Sequence, residues 1–365
     1  MPTNNTIKLT RWLAPFSFLY GVGVKLRNQL FDWKILPSVH YPVPVICIGN
    51  LAVGGTGKTP HTEYLIRLLK DQYKIAVLSR GYKRKSTGFV LADAHSTSLE
   101  IGDEPFQMKH KFPDILVAVD ANRRRGIRLL LELPAGLKPD VILLDDAFQH
   151  RYVLPSFSIV LTDYHRLFYR DKLLPQGLLR EPVEGIRRAD MVIVTKCEEE
   201  LKPIDARIIE ENMKLRAHQA LHFTKIVYGE MEPVFLSTFS KRMRARIGKE
   251  DEILLLSGIA SPAPFIKEAE KYSDHVIPVT FPDHHAFTKT DFKKLQEIFE
   301  RMPVNRRWIL TTEKDAARLK NNPLVPKEWK KFLFYLPITI DFCIDKDFDQ
   351  TIQTHINTAI KNNLH

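Results

Sequence analysis

Cysteine is scarce: Cys47, Cys197 and Cys343 are the only three in 365 residues. Odd in number and far apart, they exclude both a disulfide framework and a zinc cluster, and they fit a reducing compartment. A membrane-spanning run is missing at the N-terminus, where residues 13–24 fall short of the roughly 20 that a spanning helix needs. Pro15, Gly21 and Gly23 interrupt that run further. No internal repeat or low-complexity tract is present, so neither a repeat array nor disorder is expected. Acidic residues are outnumbered, 43 Asp and Glu against 54 Lys and Arg, for a net charge of +11. Such a charge calls for a polyanionic partner, whether nucleic acid, an anionic membrane or a phosphorylated substrate. Motifs that read RNA or DNA are absent, which leaves no nucleic-acid partner expected.

What is present supports a folded, two-domain chain: 44% hydrophobic and 27% charged residues can bury a full core. Residues 9–36 set the apolar run between Lys8, Arg11, Lys25 and Arg27, with aromatics at Trp12, Phe16, Phe18, Tyr20, Phe31 and Trp33. A basic, aromatic-rich segment of this kind lies in the plane of a membrane interface. Residues 1–36 are therefore expected to form an amphipathic interface segment that binds an anionic membrane surface peripherally. A helix packed on the body of the protein is the alternative. No small-residue cleavage pattern follows, as a signal peptide would require.

From residue 43 onward, short runs rich in Val, Ile and Leu recur at 43–48, 75–79, 115–119, 141–144, 157–161, 191–194, 253–256 and 308–311. Runs like these suit strands buried on both faces, as in a parallel sheet, and stretches such as 61–71 and 122–133 supply helical crossovers. An α/β fold follows, with a mostly parallel sheet flanked by helices. Around 227–249 the pattern breaks into a short extended piece and the basic residues Lys241, Arg242, Arg244, Arg246 and Lys249. The expected division is a nucleotide-binding P-loop domain at 37–228 and a smaller C-terminal α/β domain at 229–365.

The strongest chemical signal follows the first run: Gly54-Gly55-Thr56-Gly57-Lys58-Thr59, then Pro60 and a helix. Between a buried strand and a helix, such a loop can turn its backbone N–H groups onto phosphates. Lys58 would reach the β- and γ-phosphates of ATP, and the Thr59 hydroxyl would ligate Mg2+. Ala52 stands where the strict pattern places its first glycine. A metal-holding carboxylate belongs at the end of another buried strand, and 141–144 runs into Asp145-Asp146. Asp145 is the first choice for Mg2+; Asp146, on the other face of a continuing strand, either joins it or orients substrate or an arginine.

Several ordered motifs then resemble one family. Ser79-Arg80-Gly81-Tyr82, Gly102-Asp103-Glu104-Pro105, Asp145-Asp146-Ala147-Phe148-Gln149-His150, Leu178-Leu179-Arg180-Glu181-Pro182, Gly258-Ile259-Ala260, Asp283-His284 and Thr312-Glu313-Lys314-Asp315 join the glycine-rich loop. Together they resemble the tetraacyldisaccharide 4'-kinases of Gram-negative bacteria, over about residues 10 to 340. The resemblance implies transfer of the ATP γ-phosphate to the 4'-hydroxyl of a tetraacylated glucosamine disaccharide 1-phosphate. It also implies a lipid acceptor at the cytoplasmic face of the inner membrane. Ala147 replaces a glycine that many members carry.

The resemblance nominates Asp103 as the group that accepts the hydroxyl proton, oriented by His284, with His285 a rival next door. From the residues alone, Asp103 and Glu104 equally suit a helix cap and first turn. Arg80, Arg123, Arg124, Arg125 and Arg180 are the arginines considered for the developing charge, with Arg123 preferred. Thr195-Lys196-Cys197-Glu198 after a strand is similar to the guanine-reading loop of GTPases, so a P-loop GTPase or ATPase switch is the alternative function.

Overall fold

The computed structural model describes residues 11–235, 247–283, 285–320, 322–344 and 347–363. His284 and the basic residues Lys241, Arg242, Arg244 and Arg246 lie outside them. In chain order the strands are β1 (Val45–Asn50), β2 (Ile75–Ser79), β3 (Val90–Leu91), β4 (Leu116–Val119), β5 (Val141–Asp145), β6 (Phe157–Asp163) and β7 (Met191–Thr195). They continue as β8 (Ala220–Tyr228), β9 (Glu232–Pro233), β10 (Glu252–Ser257), β11 (His275–Thr280), β12 (Arg307–Thr312), β13 (Leu333–Leu336) and β14 (Ile338–Phe342). Helices α1 (Ala14–Asp32), α2 (Lys58–Leu69), α3 (Ser98–Ile101), α4 (Asp103–Lys111), α5 (Arg123–Leu131) and α6 (Pro203–Met213) precede β8.

The chain forms two units, Met1–Ile226 with Ile340–His365, and Val227–Thr339. In the first, a nine-stranded sheet runs β14-β8-β7-β6-β1-β5-β2-β4-β3. β1, β2, β5 and β7 are buried at every position. Parallel strands covered on both faces can bury such unbroken apolar runs. β1 lies between β5 and β6, with later strands added on either side of it. Such a reversal opens a crevice beyond the carboxyl ends of the strands, where ligands bind in open α/β sheets.

One expected boundary is corrected. Residues 340–365 belong to the first unit rather than to the C-terminal domain, because β14 pairs with β8 at the edge of the large sheet. The helix Phe348–Asn363 follows it, and Tyr64 of α2 donates to Asp349 at 2.9 Å. The second unit holds a five-stranded sheet, β11-β10-β12-β13-β9, around buried Leu254, Phe299, Trp329 and Phe334.

α1 packs one side on the first unit, as the alternative expectation for the N-terminus had it, and leaves apolar side chains exposed on the other. Pro15 occupies its first turn, where a missing N–H costs nothing, and the helix continues through Gly21 and Gly23. Its inner side is fastened to the first unit: Phe31 is buried, the Ser17 hydroxyl donates to Leu173 O at 2.9 Å, and Arg27 donates to Gln149 O at 3.1 Å. Its outer side exposes Phe16 (57%), Phe18 (70%) and Leu19 (66%) together with Val22 and Leu26, and Trp12 in the turn before it is exposed too. No helix among the described residues is long and apolar enough to cross a membrane.

Candidate active site

The glycine-rich loop begins with an isolated bridge rather than with its turn. Ala52 forms an antiparallel bridge with Leu179, Val53 N donates to Leu178 O at 2.8 Å, and Arg180 N donates to Leu51 O at 2.7 Å. A residue in an extended bridge has no need of glycine, which explains how Ala52 serves there. The turn proper is at Gly54 and Gly57, with φ of 112° and 84°, values that L side chains rarely adopt. Gly57 precedes α2, whose first residues are Lys58 and Thr59. The loop is held from behind: Asn50 Nδ2 donates to the Thr56 hydroxyl at 3.0 Å and Thr195 Oγ1 donates to Thr56 O at 2.9 Å. His61 Nδ1 donates to Gly57 O at 2.7 Å, and burial lowers that imidazole to about 4, so it stays neutral.

Parallel pairing of Ile48 with Asp145 brings the end of β5 beside this loop. Asp145 and Asp146 then part. Asp145 is buried; one carboxylate oxygen accepts from the Ser79 hydroxyl at 3.3 Å and the other has no partner. Burial, followed by the charges of Glu104 and Asp146, pushes its carboxyl up to about 7, against Lys58 and Arg123. Asp146 turns through a left-handed φ of 49°, a conformation costing a non-glycine residue roughly 1–2 kcal/mol. The turn points its carboxylate at Lys58 Nζ, 3.7 Å away, and Arg180 Nη1, 2.9 Å away. Burial would raise that carboxyl, but the two cations hold it below the usual range.

A buried carboxylate oxygen without a partner, with the charges of Glu104 and Asp146 near it, fits a divalent cation. No group of three or more His, Cys, Asp or Glu that could hold a metal occurs among the described residues. Asp145 with the Thr59 hydroxyl therefore suits an ion whose remaining ligands come from nucleotide phosphates and water.

The other motifs close on the same strand ends. Ser79 ends β2, and the backbone of Gly102 lies against that of Gly81 and Tyr82. Asp103 and Glu104, both partly buried, open α4, where the helix dipole favours carboxylates. Glu104, read from the sequence as a first-turn acid, does open α4, and folding sets its charge beside Asp145. Gln149, quoted only within a motif, donates to Asn50 O at 2.8 Å and to Glu181 at 2.9 Å.

The expectation for Arg123 is corrected. It is buried, donating to Asp120 O at 2.7 Å and to Asp145 O at 3.3 Å, so its guanidinium supports strand-end backbone rather than facing a ligand. Arg180 is half-buried, with its Nη1 2.9 Å from the Asp146 carboxylate that Lys58 also approaches. His285 is likewise committed elsewhere: its Nε2 lies 2.9 Å from Asp291, the carboxylate that caps the helix Lys289–Arg301 with Thr288. In the second unit, Gly258 N (2.8 Å), the Thr312 hydroxyl (2.7 Å) and Arg318 (3.0 Å) all donate to buried Asp315. Asp283, next to His284 in sequence, pairs with Lys314 at 2.9 Å.

A glycine-rich loop between a buried parallel strand and a helix, with lysine and threonine opening the helix and a carboxylate ending the next strand, defines a P-loop nucleotide-binding protein. The family model described as tetraacyldisaccharide-1-P 4'-kinase matches residues 9–357. The tetraacyldisaccharide 4'-kinase of Parabacteroides distasonis is 60% identical over 364 residues, 99% of each chain. That of Bacteroides thetaiotaomicron is 49% identical, covering 98% of this chain and 96% of its own. A crystal structure of LpxK from Aquifex aeolicus in complex with ATP matches with a TM-score of 0.72 at 29% identity, covering 96% of this chain and 99% of that one. The chain belongs to the tetraacyldisaccharide 4'-kinase family.

Proposed function

We propose that this kinase transfers the γ-phosphate of MgATP to the 4'-hydroxyl of a tetraacylated glucosamine disaccharide 1-phosphate, working from the cytoplasmic face of the inner membrane. One observation carries the reading: the Tyr20 hydroxyl of α1 donates to Arg180 O at 2.7 Å. The helix that exposes Phe16, Phe18 and Leu19 is thereby fastened to the segment whose arginine meets Asp146, the carboxylate that also pairs with Lys58. An apolar face resting in lipid would keep phosphate chemistry at the level of the headgroups, where an acylated sugar offers its hydroxyl.

Lys58, with the loop's N–H groups, binds the β- and γ-phosphates, and Arg180 meets charge developing on the transferred group. Thr59 and Asp145 would hold Mg2+, which when bound neutralises phosphate oxygens. Asp146 orients Lys58 and Arg180 by accepting from both. Asp103, at the positive end of α4, accepts the sugar proton, and the family resemblance nominates His284, outside the described residues, as its partner in that step.

Label from γ-phosphate ATP should appear in a synthetic tetraacyldisaccharide 1-phosphate presented in mixed micelles. Asp103→Ala should lose about 10²-fold or more in kcat while MgATP affinity is kept, and adding His284→Ala should cost far less than its single effect. Nucleotide hydrolysis that ignores the acceptor would favour the GTPase or ATPase switch and sink this reading.

A further inference from the structure

A loop that turns its N–H groups inward onto phosphates must turn carbonyls outward, where a donor satisfies a buried one such as that of Thr56 and pins an exposed one such as that of Gly55. Two consecutive carbonyls of the glycine-rich loop receive theirs from the end of β7. Thr195 Oγ1 donates to Thr56 O at 2.9 Å, and Lys196 Nζ donates to Gly55 O. The same ammonium pairs with Asp163 at 2.7 Å, and β6–β7 register sets Asp163 directly opposite Thr195. Lys196 reaches this position from a left-handed backbone, φ 58°, as Lys34, Lys83 and Lys214 do at other turns. Tyr164 N donates to Thr195 O and Cys197 N to Thr224 O, both at 2.9 Å, so the main chain on either side is fixed.

We propose that Thr195 and Lys196 are positioning residues for the nucleotide, an outer brace that fixes the Gly55 and Thr56 carbonyls and so preorganises for phosphate a loop in which Thr56 N already donates to Gly54 O at 3.1 Å. Asp163 aims the Lys196 ammonium and cancels its charge, so the lysine serves as a fixed donor rather than a phosphate-binding cation. Without the brace the loop would have to be ordered at the moment of binding. Bound substrate and transition state would bear that cost equally, so the loss appears in ATP affinity and not in the chemical step. The inference rests on the reading that ATP occupies this loop.

Titration calorimetry with MgATP and steady-state kinetics on the full chain test it. Lys196→Met keeps the stem and removes the donor; its Kd and KM for ATP should rise about tenfold, the worth of one charge-assisted hydrogen bond. The fall in kcat should be smaller than the rise in KM, and KM for the lipid acceptor should hold. Lys196→Arg should recover part of the affinity, and Thr195→Val should shift ATP affinity in the same direction. Wild-type affinity in Lys196→Met and Thr195→Val would overturn the brace while leaving ATP binding intact. So would an equal loss for both substrates with a lowered melting temperature, which would make these residues merely structural. A wild-type chain that binds no MgATP would overturn the brace together with the reading beneath it.

Discussion

Replacing Asp145 by Asn separates what this carboxylate costs the nucleotide-free protein from what it contributes to catalysis. Burial first, then Glu104 and Asp146, raise the carboxyl from 3.8 to about 7. The native state thus keeps a proton that the unfolded chain has lost. Stability present below the unfolded value is lost as pH rises toward and through about 7. Between pH 5 and pH 7 that is about 2 pH units at about 1.4 kcal/mol each, or about 3 kcal/mol. Asparagine cannot ionise, so the variant lacks this slope. Its amide also meets the position where one oxygen has no partner, a cost of about 1–3 kcal/mol that does not vary with pH. The informative quantity is therefore the change in the gap between the two proteins, not the gap at one pH. In thermal unfolding from pH 5 to pH 8, with chelator and without nucleotide, the variant should gain on wild type by about 6–12 °C. The same variant should lose about 10²-fold or more in turnover, because it weakens the hold on Mg2+. Parallel melting curves across that pH range would refute the burial argument, and near-normal turnover would refute the metal role.

Lys58→Ala and Thr59→Ala should each lower turnover about 10²-fold or more in the label-transfer assay without unfolding the protein. Gly49→Ala would place its Cβ 2.6 Å from Phe148 Cβ, and should cost about 1–3 kcal/mol in denaturant unfolding as β1 and the Asp145 turn are pushed apart. Phe16→Ser, Phe18→Ser and Leu19→Ser combined alter only exposed side chains, so flotation with anionic vesicles should fall sharply while the melting temperature holds. Deleting residues 11–36 should in contrast lower the melting temperature, since Ser17, Tyr20, Arg27 and Phe31 fasten α1 to the first unit.

Strands β1, β2, β5 and β7 were legible because a parallel strand covered on both faces must be apolar throughout, and that requirement is local. The glycine-rich loop was legible for the same reason: φ of 112° and 84° at Gly54 and Gly57 admit few other residues. Asp145 could be read from its place at the end of an apolar run. β8 and the edge strand β14 escaped notice, since Ala220–Tyr228 and Ile338–Phe342 are only partly buried and carry Lys225 and Asp341 among their apolar residues. Nothing local says that residues 340–363 return to the first unit.

What the sequence determined by itself was the chemistry that one stretch of chain can encode: a phosphate-cradling turn, a strand-end carboxylate and an amphipathic N-terminal segment. Tertiary structure alone decided how those pieces meet. It buried Arg123 against the carbonyls of Asp120 and Asp145 and left Arg180 to face Asp146. It assigned Lys196 to Gly55, 141 positions away in sequence. Burial and pairing of charged groups depend on contacts between distant segments, and no local pattern of residues contains the distance between them.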